Sequence, residues 1–321
     1  MSIRVLKPSI NSSLQDLGRK NYANFGIARS GACDTHSLMI ANILLGNFYA
    51  EAGLELCLNG GTYEFLDEHY FCLSGADFCA KLNSKSIKTF KVYKAKKGDI
   101  LELGLAKFGF RGYLCVAGGF ECKEFLASKS SDFKMGVGLF DGRALQKDDI
   151  LECKNAFTPF NLEKRECENP YLKLEKTLKI RVLIGTDKES FTEKGLNTFF
   201  NTRYKISSKS DRMAIYAEST QVIEHKDKAD IISDPAVFGN IQVPQNGLPI
   251  ILMAGRQSTG GYTKIATVIE NDLSLLAQAK LGSFIEFIEV DINEALSLYK
   301  ERIKELKKLD ERMNLNFERL F

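Results

Sequence analysis

The feature that most constrains this chain is its succession of short runs rich in β-branched and aromatic residues. They include "TYEFL" (62–66), "YFCLSG" (70–75), "KTFKVYKA" (88–95), "DILELG" (99–104), "RGYLCVAGG" (111–119), "KIRVLIG" (179–185), "YKISS" (204–208), "GLPIILMAG" (247–255), "KIATVIE" (264–270) and "SFIEFIEV" (283–290). Gly, Asn, Asp or Ser bounds most of them, which reads as strands joined by close turns. Such a series predicts barrels or sandwiches and argues against a parallel α/β sheet. Three segments share one plan, a polar turn followed by an alternating strand: 96–104, 146–154 and 279–290. They are expected to be barrel-closing strands.

Helical periods are few. Residues 34–45 have Asp34 as N-cap and Gly46 as stop. Residues 272–281 repeat that plan with Asp272 and Gly282, and 188–200 form a third candidate. From Asp291 the pattern changes. Ile292, Leu296, Tyr299, Ile303, Leu306 and Met313 keep helical spacing among Lys and Glu, which predicts an amphipathic helix over 291–321. It either packs back on its own domain or meets a partner subunit. The charged, irregular stretch near 155–180 marks a boundary. The expected domains are therefore 1–165, 175–290 and the terminal helix 291–321.

A chain of 321 residues is long enough for two such domains. Its formal charge of +3, with lysines scattered among Asp and Glu, argues against a nucleic-acid surface. There is no export signal and no run long enough to span a membrane, so a cytoplasmic protein is expected. The eight cysteines form no CxxC pair, and there are only three histidines, His36, His69 and His225. Reduced core thiols and no metal site are expected.

Chemistry concentrates in "GRQSTGGYTK" (255–264). Gly255 and Gly260 have the gap of a phosphate-binding loop, but Gly261 stands where the lysine belongs. A β-branched strand follows, not a helix, so the Walker reading fails. The glycines permit positive φ and close approach of backbone to a ligand. Arg256, Gln257, Thr259, Tyr262 and Lys264 supply donors. Just upstream, "VPQNGLPI" reads as a hairpin around Asn246–Gly247, preceded by Gln242. In "SSKSDRM" (207–213), Asp211 and Arg212 either form a turn with a surface ion pair, or offer an anion-binding fork beside a proton-handling carboxylate. At the N-terminus, Gln15, Asp16, Arg19, Ser30, Asp34, Asn42 and Asn47 either line a cleft or cap loops. "MGVGLFDG" (135–142) misses the dinucleotide fingerprint by one residue.

Taken in order, "SLQDLGR", "GIARSGACDTHSLMIANILLGN", "RGYLCVAGGF", "SKSSDFKMGVGLFDGRALQKDD", "SDRM", "IQVPQNGLPIILMAGRQSTGGYTKIATVI" and "DLSLLAQAKLG" resemble the biotin-dependent carboxyltransferase family, subdomains A and B, also called allophanate hydrolase subunit 2. The resemblance spans residues 3 to 290. It implies a mostly β protein with a few short helices: two cyclophilin-like β-barrel domains, a cleft between them and a C-terminal helix.

The first activity it implies is that of a 5-oxoprolinase complex, which opens 5-oxo-L-proline to L-glutamate with ATP and needs B-type and A-type subunits. The chain alone is expected to be inactive. Alternatives are carboxyl transfer from carboxybiotin to a urea-like amide, and non-enzymatic antagonism of a histidine-kinase inhibitor. No covalently attached biotin is expected, since its Ala-Met-Lys-Met carrier sequence is missing. Carried onto this chain, the family blocks fall on Ser210 to Met213, Gln242 to Pro244 and Arg256 to Lys264. Lys264 and Asp211 are the expected reactive pair. Arg212, Gln242, Arg256, Gln257, Thr259, Gly260, Gly261 and Tyr262 are expected around a small acidic or amide substrate. One departure stands out: the family usually has Ala-Asp-Arg-Gln where this chain has Ala254-Gly255-Arg256-Gln257.

Overall fold

The computed structural model describes residues 1–155, 161–171 and 175–314. The chain groups into two compact units. The first holds residues 1–19, 30–173 and 303 onward, and the second holds 20–29 and 174–302. Both are built mainly of strands.

In the first unit the strands are β1 (Ser2–Lys7), β2 (Ile10–Gln15), β3 (Gly53–Cys57), β4 (Asn59–Phe65), β5 (His69–Asp77), β6 (Lys81–Leu82), β7 (Lys85–Ser86), β8 (Val92–Ala95), β9 (Ile100–Leu105), β10 (Phe108–Val116) and β11 (Ile150–Glu152). They form one eleven-stranded sheet ordered β7-β6-β9-β4-β3-β10-β5-β8, with β1 joining β4 to β11 and β2 beside β3. The alternation read in "DILELG" holds: Leu101 and Leu103 face the core while Glu102 faces solvent. The core gathers Ile3, Val5, Leu54, Leu56, Phe65, Phe71 and Phe120.

Helix α1 (Thr35–Leu45) belongs to this unit. Asp34 accepts from Ser37 N, and Gly46 takes the left-handed conformation that ends the helix. The helix is buried on nearly every side, from Ser37 to Leu45, as expected of one this apolar.

The polar N-terminal block is structural. Asp16 accepts from Gly18 N, Ser128 Oγ, Lys129 N and Ser130 Oγ. Gln15 donates to the Ser131 carbonyl and Arg19 to the Ser130 carbonyl. Asn42 and Asn47 hold the carbonyls of Glu51 and Val116. These side chains tie the 15–19 segment to the 128–132 loop, and α1 to its neighbours. All eight cysteines are free thiols; burial pushes Cys153 up to about 12 and Cys167 up to about 11.

The second unit contains β12 (Thr177–Ile184), β13 (Tyr204–Ile206), β14 (Ala214–Glu218), β15 (Asp230–Pro235), β16 (Asn240–Gln242), β17 (Ile250–Leu252), β18 (Thr259–Tyr262), β19 (Lys264–Val268) and β20 (Phe284–Glu289). Seven of these close a barrel in the order β12-β19-β16-β17-β14-β13-β20. The closing pair is parallel, with Thr177 opposite Phe284 and Val182 opposite Glu289. The predicted hairpin joins β16 to β17, and Gly247 takes φ +70° at its turn. Strands β15 and β18 form a separate two-stranded sheet.

Two helix positions shift from the sequence reading, one through a local cap and one through a tertiary ion pair. The 188–200 segment splits into a short turn and α2 (Glu193–Asn201), because Thr192 caps the helix by accepting from Gly195 N. Helix α3 (Glu270–Gln278) starts two residues before the predicted Asp272. Asp272 sits inside its first turn and binds Arg181 instead, through Nε at 3.0 Å, Nη2 at 2.6 Å and the backbone N at 2.7 Å. Helix α4 (Ile292–Asn314) begins on Asp291, whose carboxylate accepts from Asn293 N and Glu294 N. Asn271 and Arg302 tie its first half to α3, and Leu306 is buried in its second half. Ile292, Leu296 and Tyr299 remain exposed. The end of the predicted helix, 315–321, lies outside the described residues.

Asp272 is 2 % exposed, and its loss strands the partly buried Arg181. Asp272→Ala is expected to lower the stability of this unit by about 3 kcal/mol, the scale for breaking a buried pair. Urea denaturation of wild type and variant checks it.

Candidate functional site

The glycine-rich stretch is not a loop around a phosphate. Thr259–Tyr262 is strand β18, paired with β15, and Lys264 opens β19. Gly260 and Gly261 do not take positive φ, which corrects the expectation from sequence. Gly260 is required by close approach. A Cβ there would stand 2.2 Å from Gln242 Nε2, whereas one on Gly261 would meet only Ile231 O at 3.6 Å and Ser233 Oγ at 3.9 Å.

Gln242 and Lys264 face each other across the β16–β19 ladder. Gln242 is buried and donates to the Tyr262 carbonyl at 3.4 Å. Lys264 is also buried in the barrel wall, at 6 % exposure. Its ammonium lies 2.7 Å from Asp234 Oδ2 and 3.7 Å from Asp187 Oδ2. Its backbone N–H also donates to Asp187. The structure thus brings Lys264, Gln242, Gly260 and Tyr262 together, and adds two carboxylates that sequence reasoning missed. A buried ammonium needs such compensation, and the pair holds it as a directed donor.

Asp211 is not the ion-pair partner of Lys264. Its Oδ1 accepts from Met213 N at 2.7 Å and Ala214 N at 3.1 Å, which makes it the organiser of the turn before β14. That turn meets the 253–256 turn: Gly255 N donates to the Arg212 carbonyl at 2.8 Å, and Met253 N to the Met213 carbonyl. A Cβ on Gly255 would press on Arg212, with its carbonyl oxygen at 3.1 Å. The "SDRM" and "AGRQ" blocks are therefore neighbours. Gln257 and Thr259 are exposed beyond them.

Arg256 is held on one edge and one face. Its Nε donates to the Ala236 carbonyl at 3.2 Å, and its guanidinium lies 5.8 Å from the Phe238 ring centroid. Burial, and the like charge of Arg29 nearby, push its pKa down to about 10. Arg29 is a further residue that sequence reasoning missed, because it lies far from Arg256 along the chain, in the 20–29 segment. Behind Lys264, His225 Nε2 meets Thr263 Oγ1 at 3.0 Å and the Val243 carbonyl at 3.1 Å, and its ring packs on Phe191. Burial holds His225 below its usual pKa. Among the described residues no cluster of three metal-ligating side chains occurs, and no helix is long and apolar enough to cross a membrane.

The family model for the carboxyltransferase domain, subdomain A and B, matches residues 25–289, and the chain belongs to that family. It is similar to the C-type subunit of 5-oxoprolinase from Haemophilus influenzae, at 38% identity over 92% of this chain and 94% of that protein. It is also similar to the corresponding 5-oxoprolinase subunit of Escherichia coli, at 32% identity over 97% of this chain and 99% of that one. Among solved structures, Kluyveromyces lactis urea amidolyase superposes with a TM-score of 0.89 and 27% identity, covering 100% of this chain and 20% of that one.

Two outcomes test this geometry. Gly260→Ala is expected to displace the Gln242 amide and lower the melting temperature, whereas Gly261→Ala stays near wild type; equal melting temperatures would contradict the packing described. For His225, a depressed folded pKa means its stabilising contribution is complete above the unfolded value of about 6.5 and declines as pH falls below it. His225→Gln should flatten the pH dependence of the melting temperature in that window, as read by calorimetry.

Proposed function

We propose that this chain is the C-type subunit of an ATP-dependent 5-oxoprolinase, which opens 5-oxo-L-proline to L-glutamate in the cytoplasm together with A-type and B-type subunits and is inactive alone. The observation that carries the reading is end-to-end similarity: the match to the Haemophilus influenzae protein takes in 92% of this chain and 94% of that one at 38% identity. A lactam carbonyl is a poor electrophile. Transfer of the γ-phosphoryl group of ATP to its oxygen, with release of ADP, makes it a better one; water then attacks the carbon, the C–N bond breaks to leave an acyl phosphate, and a second water releases phosphate and glutamate. In this reading the Lys264 ammonium stabilises charge that develops on oxygen. Gln242 orients the amide, Asp211 handles the proton, and Arg212 and Arg256 hold anionic groups. Gln257, Thr259 and Tyr262 line the approach. In this reading 255–264 is not a phosphate cradle for ATP, since Gly260 and Gly261 lie in β18 and no helix follows them; the nucleotide would be held elsewhere in the complex.

A second reading is carboxyl transfer from carboxybiotin to a urea-like amide. The fit to urea amidolyase over the whole of this chain favours it. Calorimetric titration with biotin separates the two: no heat at millimolar ligand would remove the second.

Reconstitution with A-type and B-type subunits is expected to release glutamate only with ATP and only from the complete mixture. Absence of glutamate from every mixture would sink the proposed function. Lys264→Ala should slow the complex by about a hundredfold or more, the scale for losing a donor to a developing oxyanion. A full rate in that variant would remove Lys264 from the chemistry.

A further inference from the structure

The small β15–β18 sheet of the second unit holds an aliphatic side chain out in water. Ile232, on β15, is 94 % exposed, more than any other large apolar side chain among the described residues. Val237, just beyond the strand, is exposed as well. Neither contributes to the core of its own unit. Among the described residues β15 and β18 pair only with each other, so the sheet keeps two outer edges.

The β15 strand is guarded against a further strand. Its register on β18 shifts between Asp230 and Asp234, and Pro235 ends it. A broken register and a proline both hinder strand addition. What the sheet offers outward is therefore a side chain and not a backbone ladder. Its charge is one-sided too. The strands read DIISDP and TGGY, with two carboxylates and no cation. Asp234 is spent on the Lys264 ammonium at 2.7 Å. Asp230 is exposed and makes no ion pair among the described residues.

These features define what fits. A second copy brought up about a two-fold axis would set Asp230 against Asp230, with no cation on either sheet to compensate. A complementary surface has an apolar pocket for Ile232 and a basic side chain at the rim for Asp230. We propose that the β15–β18 sheet is a docking arm for a protein partner presenting an apolar pocket with a basic rim, and that Ile232 is the anchor. The inference rests on the reading of the chain as a subunit and deepens it by naming the contact. Asp234 ties the arm to Lys264, so a partner seated on it lies beside the candidate site.

The test is association of the full-length chain with purified A-type and B-type subunits, read by titration calorimetry and sedimentation velocity. Wild type is expected to bind one of them. Ile232→Lys should weaken that complex by about thirtyfold or more, the scale of an anchor residue. Its melting curve should not move, because the side chain is almost wholly in water. Leu105→Lys replaces an apolar side chain 70 % exposed in the first unit and should bind as wild type does. Asp230→Lys should weaken binding severalfold and flatten its salt dependence, as loss of a rim charge does. Full affinity in Ile232→Lys, an equal loss in Leu105→Lys, an unchanged salt dependence in Asp230→Lys, or no binding of wild type to either subunit would each overturn the arm as described. So would self-association of wild type that Ile232→Lys abolishes, since the occupant would then be a second copy. A complex that assembles through Ile232 but releases no glutamate would sink the proposed function and leave the arm standing.

Discussion

A lysine ammonium set into the wall of a small barrel is the constraint around which the second unit is arranged. Such a charge is tolerated only with carboxylates in reach and hydrogen bonds of good geometry. Asp234 and Asp187 supply them from different elements, one on β15 and one in the turn after β12. Meeting that demand draws the two-stranded sheet against the barrel, puts Gln242 opposite Lys264 on the ladder, and leaves no room for a side chain at Gly260. The lysine, its acids and the glutamine therefore pack as one group.

Much of the fold was legible in the sequence because it is locally encoded. Period-two runs bounded by turn residues marked β9, β10, β12, β17, β19 and β20, and the Asp34–Gly46 bracket marked α1. The helix starting at Glu270 was misread because Asp272 looks like a cap in isolation, while in the fold its carboxylate is taken by Arg181. Nothing within a short window of sequence reveals that competition.

The site was legible in its parts and not in its pairings. Lys264, Gln242 and the glycine pair stood out as a dense donor set on a strand-rich background. The partners of Lys264 lie 30 and 77 residues away along the chain, and Arg29 is further from Arg256 still. Long-range ion pairs leave no periodic trace. The same holds for Asp211, whose adjacency to Arg212 suggested a reactive acid; two backbone N–H groups of its own turn now define its first duty. Gly260 shows the reverse: a residue read as backbone freedom is explained by a neighbour's bulk.

The parallel closure of β12 on β20 has a kinetic consequence. The seam joins the first and last strands of the unit, and the unit also takes in residues 20–29 from near the start of the chain. The barrel cannot be completed on the ribosome until Glu289 has emerged, and by then the early segment has waited through synthesis of almost everything else. Pairings of such long range form slowly and leave strand edges open meanwhile. The first unit's sheet has a long pairing of its own, Ser2 opposite Glu152, but all of its strands have emerged once β11 is made, well before Glu289. Nascent chains should therefore carry an ordered first sheet beside an unfinished barrel, which makes the second unit the one most exposed to chaperones and to misassembly.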